Sequence, residues 1–192
     1  NNILPIPKSG KTIIVAGKGA DDVGMQSGGW TISWQGGMGQ TTNGTTILDA
    51  IKSAVDPGTV VEYTPDGTSF TGDLAVVVVG EKPYAEMIGD RKDLKLDNED
   101  LGVIKRFTDN DIPVVVVLLS GRPMIVTDEI GKWDGFIAAW LPGTEGTGVA
   151  DVLFGDYKPT GKLSFSWPKS MNQFPIDPND DHLFSFGFGL TY

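Results

Sequence analysis

The sequence predicts an α/β fold: an open, mostly parallel sheet sandwiched between helices, built as a single domain. Three observations predict it. Leu74-Ala75-Val76-Val77-Val78-Val79 and Pro113-Val114-Val115-Val116-Val117-Leu118-Leu119 are continuous apolar runs of strand length, as expected of strands buried on both faces. Helical patterns lie between such runs, so strand and helix alternate along the chain. The 192 residues, 40% hydrophobic and 21% charged, suffice for one sizeable core and fall short of two ordinary domains. The layering expected is that of Rossmann-like and flavodoxin-like sheets.

Lys11 to Ala16 is a β-branched run that ends in Gly17-Lys18-Gly19, the pattern of a buried strand entering a loop. A long glycine-rich loop follows, until Thr45 or Thr46 opens a helix with Ile47, Leu48, Ile51 and Val55 on one face. Asp56-Pro57-Gly58 stops it. Thr59 to Tyr63 reads as the second strand and Leu74 to Val79 as the third, ended by Gly80. After a loop from Glu81 to about Leu96, Asp97 or Asn98 caps a helix carrying Leu101, Ile104, Lys105 and Phe107. Pro113 to Leu119 is a strand, Val126 to Ile130 a short helical turn and Phe136 to Ala139 a strand. Glu145 to Leu153 is a helix closed by Gly155. Leu163 to Ser166 is a last strand candidate. Residues 1–166 are thus assigned to the sandwich, and 167–192, rich in Pro, Asn, Asp and Phe, to an irregular segment packed on the surface of the same domain.

The formal charge of −10, from 25 acidic against 15 basic side chains, opposes binding to nucleic acid or to an anionic membrane surface. Neutral substrates fit it better. Without cysteine there is no disulfide framework and no thiolate metal site. The chain opens on Asn1-Asn2-Ile3 with neither a signal segment nor a bilayer-spanning apolar stretch, so it is read as a processed or excised piece.

Open α/β sheets bind ligands outside the carboxyl ends of their strands, which directs the search to loops 17–44 and 81–96. Both are longer than the usual connection of about two to six residues. Gly17-Lys18-Gly19-Ala20-Asp21-Asp22 begins like a dinucleotide fingerprint, but Asp22 stands where the third glycine belongs, and its charge opposes a pyrophosphate. That weakens a nucleotide-binding reading. Gly10-Lys11-Thr12 precedes its strand and lacks the earlier glycine of a phosphate loop, so it reads as a strand lead-in. His182, flanked by Asp180 and Asp181, is one imidazole with mobile neighbours, a poor metal site and more simply a surface histidine. No metal site and no cofactor are expected.

Loop 81–96 holds Glu81, Glu86, Asp90 and Asp93 among Lys82, Tyr84, Arg91 and Lys92. Its plain reading is a solvated charged loop. Its functional reading is a carboxyl kept protonated to donate to a leaving oxygen. In the other loop Trp30 and Trp34 sit among glycines, where an indole either caps the core or offers a flat face to a sugar ring. Trp133, Trp140 and Trp167 flank strands or loops and are expected to pack.

Several strings, in order and over nearly the whole chain, resemble family 3 glycoside hydrolases. They include Ser27-Gly28-Gly29-Trp30-Thr31-Ile32-Ser33-Trp34-Gln35-Gly36 and Gly80-Glu81-Lys82-Pro83-Tyr84-Ala85-Glu86-Met87-Ile88-Gly89-Asp90. Ser120-Gly121-Arg122-Pro123, Trp140-Leu141-Pro142-Gly143-Thr144-Glu145-Gly146, the run Leu153 to Leu163 and the ending Leu183 to Tyr192 continue the likeness.

This resemblance implies the C-terminal α/β-sandwich domain of a retaining, exo-acting β-glucosidase or exo-1,3/1,4-β-glucanase that releases glucose from non-reducing ends. It implies that Glu86 is the catalytic acid/base and Trp34 the substrate-binding platform for the sugar beyond the cleaved bond, with Trp30 packed beneath it and Glu81 structural. The implied partners are a β-glucan or β-glucoside substrate and an N-terminal barrel domain carrying an aspartate nucleophile. No aspartate here has that nucleophile's context, so the chain alone is expected to be inactive. A secreted or periplasmic location follows from the resemblance alone. The alternative is a non-catalytic carbohydrate-binding or domain-packing module in which the same loops only touch sugar or partner.

Overall fold

A computed structural model describes residues 2–192. Its sheet has five strands, β1 (Ile13–Ala16), β2 (Val61–Tyr63), β3 (Leu74–Gly80), β4 (Val114–Leu119) and β5 (Gly135–Trp140), all parallel, in the order β2-β1-β3-β4-β5. The helices are α1 (Val23–Ser27), α2 (Ile47–Ala54), α3 (Asn98–Thr108) and α4 (Thr147–Phe154). The predicted parallel α/β sandwich is present.

Alternate residues of the central strands feed two apolar layers, as the two-residue period of a strand requires. Ile13, Val15, Val76, Val78, Val115 and Val117 meet Ile47, Leu48 and Ile51 of α2 and Val149 and Leu153 of α4 on one face. Ile14, Val77, Val79, Val116 and Leu118 meet Val103, Ile104 and Phe107 of α3 on the other, with Trp133 and Trp167 completing that layer. Every residue of β1, β3 and β4 is buried.

The faces on which the helices lie fix where a crevice opens. The chain leaves β1 toward α2 on the first face and leaves β3 toward α3 on the second. Since β1 and β3 are neighbours, their connections diverge, and the carboxyl-end gap between them is a topological switch point.

Local chemistry explains the element ends. Thr46 caps α2 by accepting from the Asp49 N–H at 3.1 Å, and Gly155 closes α4 at φ 83°. Gly80 ends β3 at φ 141°, where a Cβ would stand 1.8 Å from the Leu119 carbonyl oxygen, so only glycine lets the chain turn into Glu81 there.

The structure corrects four expectations. The glycine-rich loop contains α1, capped by Asp22, whose Oδ1 accepts from Met25 N–H at 2.7 Å and Gly39 N–H at 2.8 Å; five residues are too few to show a helical period. The helical turn expected at Val126 to Ile130 is a 3₁₀ turn at Ile130–Lys132. Leu163 to Ser166 is no strand. Its alternation reflects side-chain packing, with Phe165 edge-on to Trp140 at 5.7 Å, while Leu163 exchanges backbone hydrogen bonds with Phe188 and Gly187. His182 is buried, with Nε2 at 2.7 Å from the Asp177 carbonyl. The segment 167–192 is otherwise irregular, apart from the 3₁₀ turn Met171–Gln173. It is fastened by a Trp167–Phe184 bridge and by the Trp167 indole N–H to Met124 O at 2.8 Å.

Candidate active site

At the switch point the loops after β1 and β3 lie against each other. Trp34 Nε1–H donates to Glu86 Oε2 at 2.7 Å, across 52 residues of sequence. Gln35 Oε1 accepts from Ala85 N–H at 2.8 Å, and Gln35 Nε2 donates to the Glu86 carbonyl at 3.4 Å. A Cβ on Gly29 would lie 2.0 Å from the Tyr84 carbonyl oxygen, so the backbones touch where any side chain would part them. The two loops form one unit.

The conformations are unusual as well as close. Of five described non-glycine residues with positive φ, Trp30 (60°), Ile32 (63°) and Met87 (69°) lie in these loops, and Trp140 (56°) closes β5 just before Leu141. Leu141 covers Gly28, with no room for a Cβ between them. Non-glycine residues adopt this region at a cost, which persists where surrounding contacts overdetermine the backbone and clusters at functional sites.

Beneath Glu86 the loop stands on a buried ion cluster. The Glu81 side chain, 3% exposed, accepts from Arg122 Nη2 at 2.7 Å and Nε at 3.0 Å on Oε1, and from the Tyr84 hydroxyl at 2.9 Å on Oε2. Arg91 adds a longer contact at 3.5 Å and reaches Asp97 and the Lys95 carbonyl. The Arg122 guanidinium also lies 4.5 Å from the Tyr84 ring centroid. Burial, followed by the charge and hydrogen bond of Glu81, pushes the Tyr84 hydroxyl up to about 12. Further back, Asp100 accepts from Gly80 N–H and pairs with Lys18 at 3.0 Å, and burial raises its carboxyl above the usual range. Glu81 is structural in this arrangement, with both oxygens occupied.

Glu86 is the opposite case. It is exposed, and the Trp34 indole, its own backbone N–H and the Trp30 indole hold its carboxyl below the usual range. Hydrogen bonds to the charged form favour that form, so in this chain by itself Glu86 is an anion. Asp90 and Asp93 are exposed and take no part; Asp93 accepts from Lys95 N–H.

Trp30 does not lie beneath Trp34. The rings stand 6.4 Å apart at 54°, and Trp30 is the more exposed, at 69% against 44%. It stands at positive φ, and its indole makes a lesser contribution to holding the Glu86 carboxyl below the usual range. With Ile32 of the same loop, and with Met87 and Ile88 next to Glu86 in the facing loop, it gives the two joined loops an exposed apolar rim. Sequence reasoning missed Trp30's contact and the Gln35 bonds; the adjacency of Gln35 to Trp34 was the available signal.

A groove of about 1120 Å³, with Trp133, Phe136, Trp140 and Phe165 among its lining residues, runs along β5, and neither Glu86 nor Trp34 lines it; the crevice that the topology predicts for ligands is the switch point. Among the described residues no group of His, Asp or Glu is placed to hold a metal ion, and no helix is long and apolar enough to cross a membrane.

The family described as glycosyl hydrolase family 3 C-terminal domain matches residues 1–192. The chain is similar to an exo-1,3/1,4-beta-glucanase from a Pseudoalteromonas species, with 44% identity and a TM-score of 0.90 over 100% of this chain and 26% of that one. It is 30% identical to a lysosomal beta glucosidase of Dictyostelium discoideum, over 100% of this chain and 27% of that protein. To a periplasmic beta-glucosidase of Salmonella typhimurium it is 28% identical, over 98% and 32%. The chain thus spans about a third or less of the length of these relatives.

Proposed function

From the premise that this chain belongs to the glycosyl hydrolase family 3 C-terminal domain family, we propose that it supplies the acid/base loop of a retaining, exo-acting β-glucosidase or exo-1,3/1,4-β-glucanase. Glu86 is the acid/base and Trp34 the sugar platform. The hydrogen bond from Trp34 to Glu86 at 2.7 Å carries the reading, because it puts a proton-transfer group and a flat aromatic face side by side on an exposed rim. Glu81, sealed and with both oxygens engaged, is no rival.

A retaining glycosidase needs a second carboxylate roughly 5–5.5 Å from the first. In this reading it comes from an N-terminal barrel domain outside the chain, which the greater length of the relatives supports. That carboxylate attacks the anomeric carbon while Glu86 gives its proton to the departing oxygen. Water then displaces that carboxylate from the anomeric carbon, freeing the nucleophile, and gives a proton to Glu86. The indole bonds favour the Glu86 anion, the base form of the second step. Burial under the barrel and sugar, together with repulsion from the nucleophile carboxylate, raises its pKa for the first. Residues 1–166 form the sandwich in this assignment, and 167–192 an irregular segment of the same domain. The exposed rim belongs against the barrel, and a secreted or periplasmic location agrees with the lysosomal and periplasmic relatives.

The test is Glu86→Gln in the full-length enzyme. Alkyl glucosides, whose leaving oxygen needs a proton, should lose about 10²–10⁴-fold in turnover, and dinitrophenyl glucoside far less in its first step. A covalent glucosyl intermediate should accumulate, and azide should release it as the β-glucosyl azide. Equal loss on both substrates without azide product, or this signature in Glu81→Gln instead, overturns the assignment.

A further inference from the structure

We infer that Gln35 is the positioning residue for Glu86, and this inference rests on the acid/base reading of that carboxylate. The segment from Glu81 to Asp90 contains no helix or strand, only a turn in which Ile88 N–H donates to Glu86 O at 2.8 Å and Gly89 N–H to Ala85 O at 2.9 Å. These bonds close the turn on itself and leave its aim unset. The Gln35 amide sets it, accepting from the N–H of Ala85 and donating to the carbonyl of Glu86. One planar group therefore holds the two ends of the Ala85–Glu86 backbone, which sets the direction in which the Glu86 Cα presents its side chain.

The residue type follows from the geometry. An acceptor and a donor must sit on the same carbon of one neutral group, which a primary amide provides and an aliphatic or ammonium side chain does not. Gln35 is partly buried between the loops, and its sequence neighbour Trp34 holds the Glu86 carboxylate itself. Consecutive residues thus fasten the two ends of one glutamate. Because Gln35 bonds only backbone, it acts on catalysis through orientation, and misplacement by about 1 Å at a reacting centre is enough to cost about 10²-fold.

The experiment compares Gln35→Leu, Gln35→Glu and Glu86→Gln in the full-length enzyme, on an alkyl β-glucoside and on dinitrophenyl β-glucoside. Gln35→Leu should lose about 10²-fold in kcat on the alkyl glucoside with little change in KM, and under about threefold in the glucosylation rate of the dinitrophenyl glucoside. Gln35→Glu keeps the shape and the Ala85 bond but adds a negative charge beside Glu86. A like charge holds the Glu86 proton to higher pH, so the basic limb of kcat/KM should move up. Equal loss on both substrates with an unmoved basic limb in Gln35→Glu overturns the inference and leaves a structural role only. If Gln35→Leu does not fold, the comparison of the two substrates in Gln35→Glu, which lacks the donor to the Glu86 carbonyl, carries the decision. If Glu86→Gln itself shows no dependence on the leaving group, the acid/base reading fails and this inference falls with it; leaving-group dependence in Glu86→Gln without it in Gln35→Leu sinks only the role of Gln35.

Discussion

Gly29 stands so close to Tyr84 that an added methyl group would sit 2.0 Å from its carbonyl oxygen. That approach brings the tryptophan-bearing loop and the glutamate-bearing loop within reach of one another. Gly29→Ala must push them apart, because the obstacle is backbone and not the tip of a flexible side chain. We expect a loss of about 1–3 kcal/mol in stability from overpacking. Activity on alkyl glucosides in the full-length enzyme should fall more steeply than the melting temperature implies. Wild-type kinetics from a folded Gly29→Ala enzyme would contradict the close approach.

Trp34 serves Glu86 by its N–H and the sugar by its face, and two substitutions separate these roles. Trp34→Phe keeps an aromatic face and removes the principal hydrogen bond that lowers the Glu86 pKa. That pKa should rise, and the basic limb of the kcat/KM profile should move to higher pH. Trp34→Ala should in addition weaken di- and oligosaccharide binding by about 1–3 kcal/mol, with glucose affected less. The pH profiles and inhibition constants of the two variants check the division.

The cluster under the loop should be visible in stability. Arg122→Ala removes the principal partner of Glu81, whose side chain is only 3% exposed. Stranding a fully buried charge costs roughly 3–5 kcal/mol; Arg122 is partly exposed and Arg91 remains, so we expect about 2–3 kcal/mol. Urea unfolding measures it, and a loss under about 0.5 kcal/mol, the range of a plain surface substitution, would count against a structural role for Glu81.

Tyr84 gives the same cluster a pH signature. Its hydroxyl is raised from 10.0 to about 12 in the folded state. Below the unfolded value both states keep the proton and the contribution is whole. As pH rises from about 10 toward 12, the unfolded chain ionises first, so stability is lost. Tyr84→Phe should flatten that alkaline fall in the urea midpoint while lowering stability at neutral pH through the lost hydroxyl bond to Glu81.

The sheet was legible because buried parallel strands leave uninterrupted apolar runs, and Leu74 to Val79 and Val114 to Leu119 occupy its middle. Thr46 and Gly155 marked helix ends by chemistry that acts locally. Leu163 and Phe165 misled because alternation reports which side chains are covered and does not tell a paired strand from an irregular segment lying on a core. Within the site, Glu86 and Trp34 came from resemblance, and their hydrogen bond joins residues 52 apart, beyond what periodicity encodes. Trp30 was misplaced for a similar reason: it stands at a positive φ, which residue type does not announce.

The apolar rim of the two joined loops also governs how copies of this domain behave toward each other. Ile32, Ile88, Trp30 and Met87 form a sticky face when nothing covers it, and sticky faces pair. The formal charge of −10 on the same molecule keeps such faces apart by long-range repulsion. Salt shortens that reach to about 8 Å at physiological ionic strength while leaving hydrophobic attraction intact, so colloidal stability of the uncovered domain declines as buffer concentration rises. Neutralising its carboxylates at mild acidity acts in the same direction, and dilute, weakly alkaline, low-salt solutions keep it dispersed.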